Sequence, residues 1–310
     1  MNSQSYSSLT RRVFLKGAAA AGMGSVTPTL AAQAASPASK PKLPTNPLGR
    51  TKLEVTRISY GALNTQAGPR GGQVLKMAVD AGINMVHVSS TYTLGNAIRA
   101  MGDVFAKNPG MRDKLVLCLK GAPDNPRALP GELDQMLKTL HTDHCDVYLP
   151  VLHQPNQDHL EQTMKVEDDL KKAGKIRFKG FVCHGSLNEV AEMVLDLAPD
   201  YFDAALLSTE MIVAAKTATG LAKEKAVRFV QNVAKLKQHG VGIISMKSKA
   251  REAMQAGPKV FQAHCKVLLE GGADTVAFTF ANVQQVDALK EAVSYTHLRA
   301  HETPEHLVCR

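Results

Sequence analysis

The chain has 310 residues, a formal net charge of +9 and a hydrophobic content of 44%. That length suits a single α/β barrel, which buries a core large enough to need no disulfide staples. Three of the positive charges, Arg11, Arg12 and Lys16, lie near the N terminus, which leaves 9 − 3 = +6 for the rest. The remaining Lys and Arg residues are scattered rather than clustered on one strip, so the composition argues against a nucleic-acid partner.

The N-terminal segment has the three parts of an export signal. Residues 11–16 read RRVFLK and closely resemble the twin-arginine motif; a mild Ala- and Gly-rich stretch covers 17–30, and the small-residue site AQA follows at 32–34. The apolar stretch is too short and too mild to form a stable membrane span. We therefore expect a cleaved signal at 1–34, recognition by the twin-arginine export machinery, and a periplasmic or extracellular mature protein with no stable span.

Two further segments are set apart from the fold. Residues 35–47 contain Ser, Pro and Lys without periodicity, which predicts a flexible linker. Residues from Val293 read VSYTHLRAHET and resemble one reading frame of a transposase adapter used in DNA sequencing libraries. We therefore expect 293–310 to be a non-native tail, and the domain to be truncated at its C-terminal end.

Short apolar runs alternate with longer amphipathic ones from residue 48 to residue 292. The apolar runs are nearly continuous in Val, Ile, Leu and Phe, as in parallel strands buried on both faces. They cover 58–62, 83–89, 114–120, 145–153, 177–184, 204–210, 240–247 and 275–280.

The amphipathic runs predict helices that follow these strands. They cover 72–81, 96–107, 133–140, 160–173, 187–197, 222–238 and 253–270. Several are followed by a glycine in the position that ends a helix, namely Gly82, Gly174, Gly240 and Gly271. Repeated β–α alternation in one chain of this length predicts a closed (β/α)₈ TIM barrel. A doubly wound open sheet is the alternative, but no GxGxxG motif follows the first strand.

Three motifs give the chain a resemblance to the aldo-keto reductases. LGRTKLEV at 48–55 is similar to the hairpin that opens that family and caps its barrel floor, and AGIN at 81–84 and GKIR at 174–177 continue the similarity. The resemblance implies an oxidoreductase that transfers hydride between NADP or NAD and a small carbonyl or alcohol substrate.

The resemblance also implies a catalytic set at the carboxyl ends of the strands. Tyr92 matches the family's general acid–base, Lys120 the lysine that lowers the pKa of that tyrosine, and His153 the histidine that orients the carbonyl. The family's aspartate, which holds the lysine, is replaced by His87. A histidine is not a permanent anion, and a protonated one would repel the lysine.

The positions that contact the cofactor in the family differ more. Where the family has a Ser and an Asn after the fifth strand, this chain has Cys183 and His184. After the seventh strand, Lys247 and Ser248 could offer a side-chain charge and backbone amides to a pyrophosphate. We therefore take Cys183, His184, Lys247 and Ser248 as the candidate cofactor-binding residues.

Two other functions stay open at this point. A metal-dependent barrel enzyme could use His87, His153 and His184, although no H-x-H or C-x-x-C pair supports a metal site, and we assign none. The other is a non-catalytic exported protein, or one that works with an iron–sulfur cluster carried on a native tail that this sequence does not show. The five cysteines contain no C-x-x-C pair and are expected to be free thiols.

Overall fold

The computed structural model describes residues 43–64, 69–122 and 124–294. The strands, in chain order, are β1 Thr45–Pro47, β2 Glu54–Thr56, β3 Ile58–Gly61, β4 Met85–Ser89, β5 Val116–Lys120, β6 Cys145–Leu149, β7 Ile176–Cys183, β8 Ala204–Ser208, β9 Gly242–Met246 and β10 Thr275–Phe278. The α-helices are α1 Pro69–Asp80, α2 Asn96–Lys107, α3 Leu129–Thr139, α4 Gln157–Lys172, α5 Leu187–Leu197, α6 Glu210–Thr217, α7 Gly220–Gln238, α8 Ala250–Gln255, α9 Pro258–Glu270 and α10 Val283–Ser294.

Eight strands, β3 to β10, form a closed barrel in which every neighbouring pair is parallel. The strands follow chain order around the barrel, and β10 closes it against β3. Helices connect successive strands on the outside, so the predicted (β/α)₈ TIM barrel is confirmed. Because the strands are parallel, all their carboxyl ends meet at one rim, which we call the mouth.

Alternation along each strand sorts the side chains into two apolar layers. Inside the barrel, residues such as Met85, Val147, Val182 and Leu206 pack together. Their chain neighbours point outward into a larger cluster between the strands and the helices. Because successive side chains of a strand face opposite ways, these two clusters show which residues point into the barrel and which point away.

The floor, opposite the mouth, is closed by the β1–β2 hairpin. β1 and β2 pair antiparallel, and the hairpin turn contacts the segment just before β9 through the hydrogen bond from Arg50 N to Gly240 O, 2.7 Å. Leu48 is fully buried in the inner cluster. The hairpin expected from LGRTKLEV is present, but it begins earlier, since residues 45–47 form β1 rather than linker.

Aspartates at the floor stabilise the barrel by joining neighbouring strands. Asp203 accepts a hydrogen bond from Lys179 N at 3.0 Å and forms an ion pair with Arg50 at 2.9 Å. Asp146 and Asp274 do the same, with Leu117 N and Ile243 N as donors and with Arg112, Arg177 and Lys237 as cations. These buried carboxylates are structural, which leaves the mouth as the functional end.

Several predicted boundaries differ from the structure. The strand predicted over 204–210 ends at Ser208, because Glu210 begins α6, a helix the sequence analysis missed. The helix predicted over 253–270 is divided into α8 and α9, because Gly257, at φ 122°, and Pro258 interrupt the helical backbone. The strand predicted over 145–153 ends at Leu149, followed by one isolated bridge at Val151.

The predicted helix-ending glycines are confirmed at three of four positions. Gly82, Gly174 and Gly240 have φ of 104°, 71° and 78°, the left-handed conformation that glycine adopts without a Cβ clash. At the end of α9 it is Gly272, at φ 110°, and not Gly271 that takes this conformation.

The segments set apart by the sequence lie largely outside the described residues. The twin-arginine signal predicted at 1–34 falls there, and so does the tail predicted at 293–310 except for its first two residues, Val293 and Ser294, which end α10. Within the described ranges, no helix is both long enough and apolar enough to cross a membrane.

Candidate active site at the barrel mouth

Because side chains alternate between the two faces of a strand, most of the predicted site residues point into the barrel at its mouth. His87 shares the inward face of β4 with Met85, and Lys120 shares that of β5 with Cys118. His153 and His184 follow β6 and β7, and each lies two residues after an inward valine, Val151 or Val182. The barrel therefore brings His87, Lys120, His153 and His184 to one rim.

Tyr92 enters this group from a short 3₁₀ turn after β4, Tyr92–Gly95. Its hydroxyl lies 3.4 Å from His87 Nε2, and the two rings meet edge to face with centroids 5.6 Å apart. Lys120 Nζ lies 5.9 Å from the centre of the Tyr92 ring. The structure thus brings Tyr92, His87 and Lys120 together, as the sequence predicts.

Two residues after Tyr92 adopt a backbone conformation that is unusual for their type. Thr93 and Leu94 have φ of 49° and 55°, in the left-handed region, and Gly95 follows at 79°. Leu94 is 91% exposed, although it is apolar. Backbone strain of this kind is concentrated at ligand sites, and an exposed leucine beside Tyr92 offers apolar surface at the entrance.

His87 is neutral in this environment. Complete burial, together with the nearby positive charge of Lys120, lowers its pKa from 6.5 to about 3. The repulsion of Lys120 expected from a protonated histidine is therefore absent at neutral pH. A neutral imidazole can exchange a hydrogen bond with the Tyr92 hydroxyl, but it supplies no negative charge to hold the lysine.

The pKa of Tyr92 moves in the opposite direction from the one the resemblance implies. Burial raises it well above its usual value of 10.0. The pKa of Lys120 is lowered by burial and then by Lys247, against the opposing charges of Glu132 and Asp124. Tyr92 is therefore held as a neutral phenol, a state suited to giving a proton away rather than to taking one.

His153 and His184 form a pair on the other side of the mouth. Their ring centres lie 4.2 Å apart and both are partly buried. Burial lowers the pKa of His184 to about 4, helped by Lys247, and burial also lowers that of His153. Two neutral imidazoles can donate or accept hydrogen bonds to a polar substrate at neutral pH.

One of the predicted cofactor contacts is misplaced. Cys183 is buried in the outer cluster between strands and helices, and burial raises the pKa of its thiol to about 11. Neighbouring side chains of a strand face opposite sides, and the side chain of Val182, next to Cys183, points into the barrel. The Cys183 side chain therefore faces away from the mouth, and only His184 of that pair faces it.

The loop after β9 has an unusual backbone around Ser248. Lys247 and Lys249 have φ of 46° and 61°, while Ser248 between them is buried and its carbonyl accepts a hydrogen bond from His264 Nε2 at 2.5 Å. Lys247 is exposed and its charge reaches Lys120 and His184, since it lowers the pKa of both. A short segment in which left-handed residues alternate with residues of another conformation can form an anion-binding concavity from its backbone amides.

The mouth also contains a residue that was not predicted from the sequence, a serine whose buried hydroxyl has no hydrogen-bond partner in the described part of the chain. Ser208 ends β8 on the inward face shared with Ala204 and Leu206, and it is 6% exposed. Its Oγ makes no hydrogen bond within the described part of the chain. A buried polar atom is normally satisfied, so this one is available to a ligand in the mouth. Only strand parity, once the end of β8 was known, could have found it.

The sequence left open a metal-dependent enzyme, and the structure was compared with the side-chain set that such an enzyme would need. Among residues 43–64, 69–122 and 124–294, no group of three or more His, Cys, Asp or Glu side chains is arranged to hold a metal ion. His153 and His184 are near each other, but His87 is engaged with Tyr92 instead.

Comparison with known proteins agrees with this barrel. The sequence matches the Aldo/keto reductase family over residues 64–294, so the chain belongs to that family. It is 28% identical over 151 residues to the 6-dehydroglucose reductase of Novosphingobium aromaticivorans, a match over 43% of this chain and 49% of that protein. The chain thus spans about half the length of this curated relative.

Solved structures agree on the fold. A Pseudomonas aeruginosa protein assigned to the aldo-keto reductases superposes with a TM-score of 0.63 at 19% identity, covering 84% of this chain and 99% of that one. The holo form of an aldo-keto reductase from Bacillus halodurans gives a TM-score of 0.65 at 16% identity, covering 81% and 91%. At these identities the likeness concerns the barrel alone.

The neutral His87 leads to a stability prediction. The folded protein resists protonating this imidazole until about pH 3, whereas the unfolded chain protonates it near 6.5. As pH falls through that window the unfolded state binds the extra proton, so His87 makes the free energy of unfolding decrease. His87→Asn removes this contribution. From about pH 7.5 to about pH 4.5 the wild type should lose on the order of 2 kcal/mol more than the variant in urea unfolding.

The measurement at the upper pH serves as the control, because His87 in the wild type and Asn in the variant are both uncharged there. Stability curves for wild type and variant that run parallel across the whole window would show that His87 is not held neutral by the fold.

Proposed function

We propose that this chain is a nicotinamide-dependent reductase of small carbonyl compounds. The observation that carries the proposal is Tyr92, a neutral phenol whose hydroxyl stands at the mouth beside His87 and Lys120. A phenol with a raised pKa keeps its proton until a stronger base forms next to it, and the oxygen of a carbonyl under reduction becomes such a base. This favours reduction over oxidation at neutral pH.

The residues present suit NADP or NAD. Ser208 offers an unpartnered buried hydroxyl, and His184 offers a neutral imidazole to a carboxamide-like group. The loop at Lys247 and Ser248, in which Lys247 is left-handed, offers backbone amides and the exposed Lys247 cation to a pyrophosphate. When bound, the nicotinamide would supply the hydride that reaches the carbonyl carbon.

Side chains at the barrel mouth would then supply the proton, orient the carbonyl and stabilise the charge that develops. Tyr92 gives its hydroxyl proton to the carbonyl oxygen, so that one hydride and one proton make the alcohol. His153 donates a hydrogen bond that orients the carbonyl. Lys120, close to the Tyr92 ring, stabilises the negative charge left on the phenol oxygen until a proton returns from water.

The name of the curated relative suggests where to look for a substrate. It is a 6-dehydroglucose reductase, so we propose an oxidised sugar as the first carbonyl to assay. The mouth supports a hydroxylated substrate, because the neutral imidazole of His153, which is not assigned to the nucleotide, can exchange hydrogen bonds with a sugar.

A single tyrosine variant tests the reaction. Tyr92→Phe removes the proton donor and leaves the ring that packs at the mouth, so reduction of 6-dehydroglucose with NADPH or NADH should slow by about 10²–10⁴-fold. Nucleotide binding should be unchanged. Steady-state kinetics and a nucleotide titration give the two readouts.

The matched control is Tyr201→Phe. Tyr201 precedes β8 at the floor, where its hydroxyl bonds Met164 O at 2.5 Å, far from the mouth. That variant should keep the wild-type rate. Full activity in Tyr92→Phe would remove Tyr92 from the reaction and with it the proposed mechanism.

We also propose that the chain is exported in folded form by the twin-arginine pathway. The support is the order of RRVFLK at 11–16, the Ala- and Gly-rich stretch, and the AQA site. This route carries folded proteins, so a nucleotide could be seated in the barrel before export.

Conservative variants of the arginine pair test this proposal. Replacing Arg11 and Arg12 together by lysine keeps the charge but should leave the chain in the cytoplasm, as followed by cell fractionation. The paired control replaces Lys40 and Lys42 by arginine and should be exported normally. Export of the Arg11→Lys, Arg12→Lys variant at the control level would contradict the proposal.

A further inference from the structure

A carboxylate from outside the barrel reaches the two segments that carry Tyr92 and Lys120. Glu132 lies in the first turn of α3 and is partly buried. Its Oε1 accepts a hydrogen bond from Ser90 Oγ. Its two oxygens also accept from Ala122 N at 3.2 and 3.0 Å.

These contacts fall next to the catalytic residues in the chain. Ser90 comes directly after β4 and two residues before Tyr92, while Ala122 lies two residues after Lys120 at the end of β5. Glu132 therefore ties together the two loops on whose spacing the contact between Tyr92 and Lys120 depends.

Close packing at Gly121 brings the loop after β5 near the start of α3, where Glu132 lies. A Cβ at Gly121 would lie 2.7 Å from Tyr148 Oη and 2.9 Å from Leu129 Cδ2, so only glycine lets the loop approach the start of α3. That approach is what presents the amide of Ala122 to the carboxylate. Three hydrogen bonds hold Glu132, which makes it a fixed charge rather than a mobile surface acid.

The charge matters because the lysine has no anion in contact with it. Within the described residues Lys120 forms no ion pair, and the place of the family's acidic residue on β4 holds a neutral His87. The ionisable groups that face Lys120 come from every surrounding segment: His87, Tyr92, Asp124, Glu132, His153, His184 and Lys247.

Only two of these groups are acids. Burial and Lys247 lower the pKa of Lys120, while Glu132 and then Asp124 raise it. Asp124 is exposed on the loop, where water screens its charge. Glu132 is the one that the fold holds in place.

We propose that Glu132 is the positioning residue that replaces, from α3, the acid missing on β4: it fixes the loops of Tyr92 and Lys120 and keeps the lysine charged. This inference rests on the proposed function for its purpose, since a charged Lys120 is what would stabilise the phenolate of Tyr92. Its physical content, the charge state of Lys120, can be measured without any turnover.

The test is the pH dependence of Lys120 acylation in the purified protein. Trace labelling with acetic anhydride modifies only the neutral amine, and mass spectrometry of the Lys120 peptide gives the midpoint. Glu132→Gln can keep both contacts, because its carbonyl oxygen accepts from Ala122 N and its amide donates to Ser90 Oγ. It removes only the charge, so the midpoint should fall by about one pH unit.

Asp134→Asn is the matched control on the same helix. Asp134 is exposed and paired with Lys175 at 2.6 Å, away from the mouth, so this variant should leave the Lys120 midpoint where the wild type has it. An unchanged midpoint in Glu132→Gln would overturn the proposal, and so would a fall of equal size in Asp134→Asn.

A second variant decides the matter if Glu132→Gln does not fold. Asp124→Asn lies on an exposed loop and should move the midpoint by well under one pH unit if Glu132 is the governing anion. A fall of a full unit in Asp124→Asn would assign the role to Asp124 instead. No nucleotide or substrate enters the assay, so a failed reductase activity and a failed role of Glu132 are separate results.

Discussion

Closure of the eight-stranded parallel sheet is the constraint on which the site depends. In a closed barrel every second side chain of a strand points inward, and all carboxyl ends meet at one rim. Five strands thereby direct polar side chains to the mouth, among them His87, Lys120, His153, His184 and Ser208. The same rule turns Cys183 outward into the helical layer. At the floor, by contrast, Asp203 and its counterparts form ion pairs and join neighbouring strands.

Burial of the mouth then sets the charge states of its residues. It keeps His87 and His184 neutral and the Tyr92 phenol protonated, so Lys120 is the one charged member of its group in contact with Tyr92. The substitution of an acid by His87 does not place a second cation beside the lysine. It removes an anion, and the carboxylate of Glu132 on α3, which the Ala122 amide holds in place, is the acid that raises the pKa of Lys120 most.

The sequence predicted the barrel well because its signals are periodic. Buried parallel strands are continuous apolar runs and α2 and α5 have clear amphipathic faces, so both helices were predicted with their observed bounds. Boundaries failed where a local feature overrides the pattern, as at Gly257–Pro258 and at Glu210. Ser208 and Glu132 could not be predicted, since an unpartnered hydroxyl and a bond from a helix to two loops exist only in three dimensions.

We propose that the mouth binds a nicotinamide nucleotide despite its altered residues, and a titration measures this binding without any turnover. NADPH and NADH are added separately to the purified protein while the nucleotide fluorescence is followed. We expect saturable binding of at least one of them, through the loop at Lys247 and Ser248 and the inward Ser208. Failure of both to bind at high concentration would mean that this family member has lost the chemistry of its fold and uses the mouth for something else.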